Sequence, residues 1–237
     1  MIQVDHMEGK VVIGILALQG AFAEHQNALQ KISPPRKVCS LLVRTPDDLA
    51  NCHALVIPGG ESTTIALLAR LAGLLDPLRE FAKTKPIWGT CAGAILLAQS
   101  VQNAKKGGQE LLGGMSVTVA RNGWGSQVES FEAPLLIEGL QDSQIPFIGV
   151  FIRAPVIQAL HSSSNHPPIQ VIARLPVGKV PKSEAHVSLD GDDVDPRRIV
   201  AIRQGNHLLT TFHPELTKDG RFHEYFVRTC VLPLLPP

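Results

Sequence analysis

Apolar residues fall in short, nearly unbroken runs set between longer amphipathic stretches. Val11 to Leu18, interrupted only by Gly14, reads as a strand buried on both faces. Ala21 to Ile32 carries helical spacing and is ended by Pro34 and Pro35. Val38 to Val43 and His53 to Ile57 read as the next two strands, the latter stopped by Pro58-Gly59-Gly60. Ser62 takes the N-cap position of a helix over Thr63 to Leu74, and Pro77 to Lys83 continues helically. Pro86 to Gly89 reads as a fourth strand and Ala92 to Ser100 as another helix. Strand-helix alternation of this kind predicts an α/β fold of three layers, a mostly parallel sheet with helices on both faces.

The second half is patterned differently. Met115 to Ala120, Gln127 to Phe131, Leu135 to Ile137, Phe147 to Phe151 and Ile169 to Ala173 are short strand candidates separated by turn residues. Ile199 to Arg203 and His207 to Phe212 flank Gln204-Gly205-Asn206 and predict a hairpin. A helix from about Asp219 to Leu232 closes the chain. The stretch 177–198 is poor in apolar residues and reads as a long surface loop. Its acidic cluster, Asp190 to Asp195, lacks the flanking helices and the twelfth-position Glu of a calcium loop.

Composition narrows the function classes. The 237 residues are 44% hydrophobic and 18% charged, enough apolar matter for one packed domain over 1–237. The net charge of +1 provides no broad field for nucleic acid or anionic lipid, so neither is an expected partner. Val11 to Leu18 is far too short to span a bilayer, and Asp5, Glu8 and Lys10 deny the first ten residues the apolar centre of a signal peptide. The cysteines, at 39, 52, 91 and 230, form no Cys-x-x-Cys pair and no close Cys/His cluster. No disulfide framework and no metal site is expected, and the expected compartment is the reducing cytoplasm.

Three segments carry chemistry. Gly89-Thr90-Cys91-Ala92-Gly93 lies between a strand and a helix, the setting of a nucleophile elbow, where small neighbours permit a strained turn. Free amides at the helix start favour the Cys91 thiolate. His213-Pro214-Glu215 follows a strand, and an extended backbone there points both side chains to one side. A cysteine nucleophile needs such a base, and the base an orienting acceptor. Pro58-Gly59-Gly60-Glu61-Ser62 joins a strand to a helix, where backbone amides can face an oxyanion; no Gly-Lys-Ser/Thr follows, which excludes a phosphate loop. Taken singly, each segment also fits a bland reading: a buried cysteine, a turn histidine beside a surface Glu, a Gly-rich turn.

In this chain order the three segments resemble the class I, triad-type glutamine amidotransferase domain, whose fold is flavodoxin-like. Leu16-Ala17-Leu18-Gln19-Gly20, Pro58 to Thr64, Gly89 to Gly93, Arg121-Asn122 with Ser130-Phe131-Glu132, Gly149 to Pro155, and Gln204 to Leu216 narrow the resemblance to the glutaminase-subunit family of pyridoxal 5′-phosphate synthase. It runs from about Val11 to Val231. The resemblance implies hydrolysis of L-glutamine to glutamate and ammonia through a cysteine thioester, with ammonia passed to a partner synthase for vitamin B6 biosynthesis and no cofactor bound by this chain. By motif it implies Cys91 as nucleophile, His213 as base and acid, and Glu215 as its orienter. Gly60, Glu61, Ser62, Arg121, Ile152 and Arg153 are implied to bind substrate. Gly59, Gly60 and the Ala92 amide are expected to form the oxyanion hole, and Gln19 and Gly20 to meet the partner. Many members carry Arg where Ser126 stands, and the 177–198 loop is longer than in compact bacterial members. A cysteine peptidase or deglycase of related fold, which usually lacks a late His-Pro-Glu, and a binding module with a relic site are the competing readings.

Overall fold

The computed structural model describes residues 10–104, 108–121, 130–162, 164–177 and 195–236. Trp124, Ser126, positions 127–129 of one strand candidate and 178–194 of the long loop lie outside the described residues. Strands β1 (Val11–Leu16), β2 (Val38–Val43), β3 (Ala54–Ile57) and β4 (Ile87–Thr90) alternate with helices α1 (Phe22–Lys31), α2 (Pro46–Ala50), α3 (Ser62–Leu71) and α4 (Leu75–Thr84). Helix α5 (Ala92–Leu97) follows β4 directly. Then come β5 (Ala98–Gln102), β6 (Met115–Ala120), β7 (Ser130–Leu135), β8 (Phe147–Ile152), β9 (Val156–Leu160), β10 (Ile169–Arg174), β11 (Ile199–Gln204), β12 (His207–Thr210) and α6 (Arg221–Phe226).

The central sheet has the order β10-β11-β12-β4-β3-β1-β2. It is parallel from β12 to β2 and antiparallel across β10, β11 and β12. Alternation along β1 shows why helices must cover both faces. Val11, Ile13 and Ile15 pack into one core with Leu29 of α1, Phe222 and Phe226 of α6, and the β7–β8 hairpin. Val12 and Leu16 point the other way, into a core with Leu49 of α2, Ile65 of α3, Leu78 of α4, Leu97 of α5 and Met115 and Val117 of β6. The residues of both cores are buried, and each large side chain removed from water contributes about 1.5–3 kcal/mol. Strands β5, β6 and β9 form a small second sheet on the latter face.

Several boundaries differ from expectation. Helix α3 is capped by Glu61, not Ser62: the carboxylate accepts the Thr64 amide at 2.9 Å and Ser62 is already helical. The helix stops at Leu71 because Gly73 turns back with φ 68°, and α4 starts afresh at Leu75. Helix α5 ends at Leu97, and Ala98–Gln102 pairs in parallel with β6. Of two expected short strands, the described end of the first, Ser130 and Phe131, continues through Pro134 to Leu135 as one strand, and Leu136 and Ile137 lie beyond it; β9, directly after Pro155, had no separate signal. The closing helix continues from α6 into a wider turn over Val227–Val231.

Candidate active site

The site is assembled at the C-terminal ends of β1, β3, β4 and β12. Cys91 sits between β4 and α5 with φ 48° and ψ −101°, a backbone that non-glycine residues rarely adopt. Two glycines make this turn possible. A Cβ on Gly89 would lie 2.5 Å from the Gly93 carbonyl oxygen, and one on Gly93 would lie 2.0 Å from that of Ile57. The Cys91 amide donates to the Thr210 carbonyl at 2.9 Å, which ties the elbow to β12. Cys91 is only 7% exposed, and its Sγ lies 3.9 Å from the Ile152 carbonyl oxygen. Ala92 is the first residue of α5, where a helix amide has no intrahelical acceptor.

His213 follows β12, and its amide donates to the Val150 carbonyl at 2.8 Å. Pro214 to Leu216 form a 3-10 turn, not the extended segment expected, yet His213 Nδ1 and Glu215 Oε1 meet at 2.7 Å. Burial pulls the His213 pKa down, but bonds to Cys91 and Glu215 and the charges of both outweigh it, raising the value to about 10. Burial also works to raise Glu215, whose side chain is fully enclosed; the facing His25 and His213 imidazoles and the bond to His213 outweigh it, and its pKa is lowered. The imidazole is boxed in from below, since a Cβ on Gly59 would come within 2.3 Å of His213 Cε1.

The Pro-Gly-Gly loop is held by the segment after β1. The Gly59 carbonyl accepts the Ala21 amide at 3.0 Å, and Gln19 Oε1 accepts the Glu61 amide at 2.9 Å. Gln19 and Gly20 therefore stand directly behind Gly59 and Gly60. At the start of α3, Arg121 Nη2 bonds Glu61 Oε1 at 2.7 Å, while Nη1 donates to Ser62 Oγ at 3.1 Å. Burial works against the Glu61 charge, but bonds from Thr63, Arg121 and Thr64 hold its carboxyl well below the usual carboxylate range. A cleft of about 400 Å³ lined by Thr63, Arg70 and Gln109, among others, opens beside this cluster. Arg153 has φ 43° immediately after Ile152.

The structure thus brings Cys91, His213, Glu215, Gly59 and Ile152 together, and Glu61, Ser62 and Arg121 into a second cluster connected to the first through the Pro-Gly-Gly loop. Sequence reasoning missed Gln109, whose Oε1 accepts from Arg121 Nη1 at 2.8 Å; nothing in its neighbourhood in the chain marks it. It also missed two buried histidines behind Glu215, His25 and His223, which lie on unrelated helices. Cys52 and Cys230 are buried thiols pushed up to about 12, chiefly by burial, and are inert by comparison. Among the described residues no group of acids, histidines or cysteines is placed to hold a metal ion, and no helix is long and apolar enough to cross a membrane.

A strained cysteine elbow facing a His-Glu pair, at the carboxyl edge of a three-layer α/β sheet, defines a thiol-dependent acyl-transfer enzyme. Comparison with known proteins is specific: the model of the SNO glutamine amidotransferase family matches residues 15–232, and the chain belongs to that family. It is 45% identical over 226 residues to the probable pyridoxal 5′-phosphate synthase subunit PDX2 of Arabidopsis thaliana, covering 92% of this chain and 85% of that one. It is equally 45% identical over 218 residues to the pyridoxal 5′-phosphate synthase subunit PdxT of Roseiflexus sp. (strain RS-1), covering 92% and 99%. Among solved structures, one titled crystal structure of glutamine amidotransferase superposes with a TM-score of 0.70 at 41% identity, covering 91% of this chain and 97% of that one.

Proposed function

We propose that this chain is the glutaminase subunit of a pyridoxal 5′-phosphate synthase, hydrolysing L-glutamine to L-glutamate and ammonia for use by the synthase subunit. The observation that carries the reading is the Cys91 elbow set against the 2.7 Å His213–Glu215 pair in a member of this family. Residues 1–237 act as one domain, since β12, which leads to His213, lies beside β4, which leads to Cys91.

Cys91 attacks the side-chain amide carbon of glutamine, and the carbonyl oxygen takes up the negative charge. The amides of Ala92 and of the Gly59-Gly60 segment receive it; loss of one such donor typically costs about 3–4 kcal/mol of barrier. His213, protonated while paired with Cys91 and Glu215, gives its proton to the departing nitrogen, so ammonia leaves and a γ-glutamyl thioester remains. Neutral His213 then takes a proton from water, whose oxygen attacks the thioester, and glutamate departs as the Cys91 thiolate is restored. Every atom is accounted for by glutamine, water and protein groups. Glu61 and Arg121 present opposite charges beside Ser62, matching the α-ammonium and α-carboxylate of a free amino acid. Gly60, Ile152 and Arg153 complete the pocket near Cys91.

The synthase docks against Gln19 and Gly20. These residues already bond to the Pro-Gly-Gly loop, so docking pressure there reaches the oxyanion donors without passing through any other element. The test is glutamate release from saturating glutamine, with and without the matching synthase. The expected result is slow turnover alone and a clear rise with the synthase, reduced by mutation of Gln19. Equal turnover in both arms would reject the coupling, and peptide cleavage without glutamine turnover would reject the glutaminase reading.

A further inference from the structure

Behind Glu215 lies a polar chain that the hydrolytic steps leave unused. His25 of α1, His223 of α6 and the Glu215 side chain are all fully buried. His25 Nδ1 is 3.0 Å from His223 Nε2. His25 Nε2 is 3.1 Å from Thr90 Oγ1 and 3.4 Å from Glu215 Oε2. Both imidazoles pack edge-on against Trp88, with centroids 5.5 Å and 4.9 Å from its ring, and Trp88 Nε1 is itself fixed by Thr210 Oγ1 at 3.2 Å. Glu215 Oε1 is used by His213, whereas Oε2 has no hydrogen bond of good geometry among the described residues.

The position of the protons follows from these partners. Thr90 Oγ1 is also 3.5 Å from the Ile57 carbonyl, an acceptor within reach of its hydroxyl, so Oγ1 can itself accept from His25 Nε2. A carboxylate oxygen stands on the same side of that nitrogen. A lone pair on Nε2 would face an anion and an acceptor at once; an N–H bonds Thr90 Oγ1 and points positive charge toward the carboxylate 3.4 Å away. His25 Nδ1 is then an acceptor, and His223 Nε2 must donate to it. Among the described residues His223 Nδ1 has no partner, which suits a lone pair far better than an orphaned N–H. Burial lowers the pKa of both histidines, which disfavours their charged forms, so the chain works through oriented N–H groups.

We propose that His25 is a positioning residue for glutamine hydrolysis: its Nε2–H, shared between Thr90 and Glu215, holds the Glu215 carboxylate ionised and aimed at His213, and His223 fixes the tautomer that makes this possible. The inference rests on the glutaminase reading. Glu215 is faced by His213 from its own turn and by His25 from α1; His25 is faced by Glu215, by His223 from α6, by Thr90 and Trp88 from β4, and by the more distant charges of His213 and Glu24. A buried carboxylate that loses a donor holds its proton more tightly. Removing the His25 N–H therefore moves protonation of Glu215 to higher pH and leaves His213 without an oriented partner.

The experiment compares the pH profiles of kcat and kcat/KM in the wild type, His25→Gln and His25→Leu, with synthase present. His25→Gln keeps a donor near the Nε2 position and should stay within about threefold of wild type. His25→Leu should lose kcat by roughly 10–100-fold, the range seen when outer partners of metal-bound histidines are removed. Its KM should stay unchanged, and the acidic limb of its profile should move to higher pH. Equal losses in both variants, or an unmoved acidic limb in His25→Leu, would overturn the proposal. A readout independent of turnover and of any variant is the nitrogen NMR spectrum of the wild-type chain labelled at histidine. It should show His25 protonated at Nε2 alone. Protonation at Nδ1 would overturn the inference even if glutamine is hydrolysed, whereas absence of hydrolysis with the expected tautomer would instead reject the glutaminase reading.

Discussion

Cys91 holds a backbone conformation that costs about 1–3 kcal/mol and that only a surrounding scaffold can maintain. Replacing it with Ala leaves the same backbone and a smaller side chain. Cys91→Ala should therefore melt close to the wild type yet lose at least about a thousandfold in glutamine turnover, since thiol and base act as a unit. Glu215→Gln should lose less, because it removes the charge behind His213 but neither reacting group. A Glu215 variant more damaged than Cys91→Ala in glutamate-release assays would contradict this ranking. Gly59 is a sharper test of geometry. With its Cβ 2.3 Å from His213 Cε1, Gly59→Ala must displace the imidazole, and turnover should fall at least tenfold while the circular dichroism spectrum stays native. Arg121→Gln removes the cation that bonds Glu61 and Ser62 and should raise the KM for glutamine about tenfold or more, with kcat changing less; a pure kcat loss would argue against its place in substrate binding.

At the scale of elements, the parallel half was legible because each strand is an apolar run stopped by Gly or Pro, and each helix shows a periodic face. The cysteine elbow was legible for the same reason: its glycines are demanded by backbone contacts that any sequence with this turn must respect. The α5–β5 junction was not legible. Ala92 to Ala98 is apolar throughout because it is buried on all sides, so no polar residue marks where helix gives way to strand. Strand β7 was split because Pro134 reads as a breaker, although β7 belongs to a two-stranded hairpin where a missing amide is tolerated. The His213–Glu215 contact was anticipated through the wrong backbone: a 3-10 turn, not an extended strand, brings the two side chains together. His25 and His223 could not be read at all, since 198 positions separate them and only α1 packing near α6 makes them neighbours. Gly93→Ala tests the elbow as an element. A methyl group 2.0 Å from the Ile57 carbonyl must push α5 off β3, and urea denaturation should show a loss of about 1–3 kcal/mol together with lost activity.

For the molecule as a whole, its buried histidines set the pH range of stability. Burial lowers the pKa of His25, His207 and His223 in the folded chain, while unfolded histidine titrates near about 6.5. Below that pH the unfolded chain binds protons that the folded chain refuses, so stability should fall by up to about 1.4 kcal/mol per pH unit for each residue. The lowered pKa of Glu215 acts in the same sense at lower pH. His213 acts oppositely: raised to about 10, it contributes stability that is complete below about 6.5 and lost as pH rises through about 10. Urea midpoints across this range should peak near neutrality, and a monotonic rise toward alkaline pH would contradict the His213–Glu215 pairing. The same pairing underlies the central claim, that Cys91 attacks glutamine with His213 as its base. The most direct measurement is labelling with the γ-diazoketone analogue of glutamine, followed by peptide mapping. The predicted result is one label on Cys91, prevented by excess glutamine and slowed in Glu215→Gln; a label on Cys39, Cys52 or Cys230 in its place, or undiminished glutamine hydrolysis by Cys91→Ala, would contradict the account.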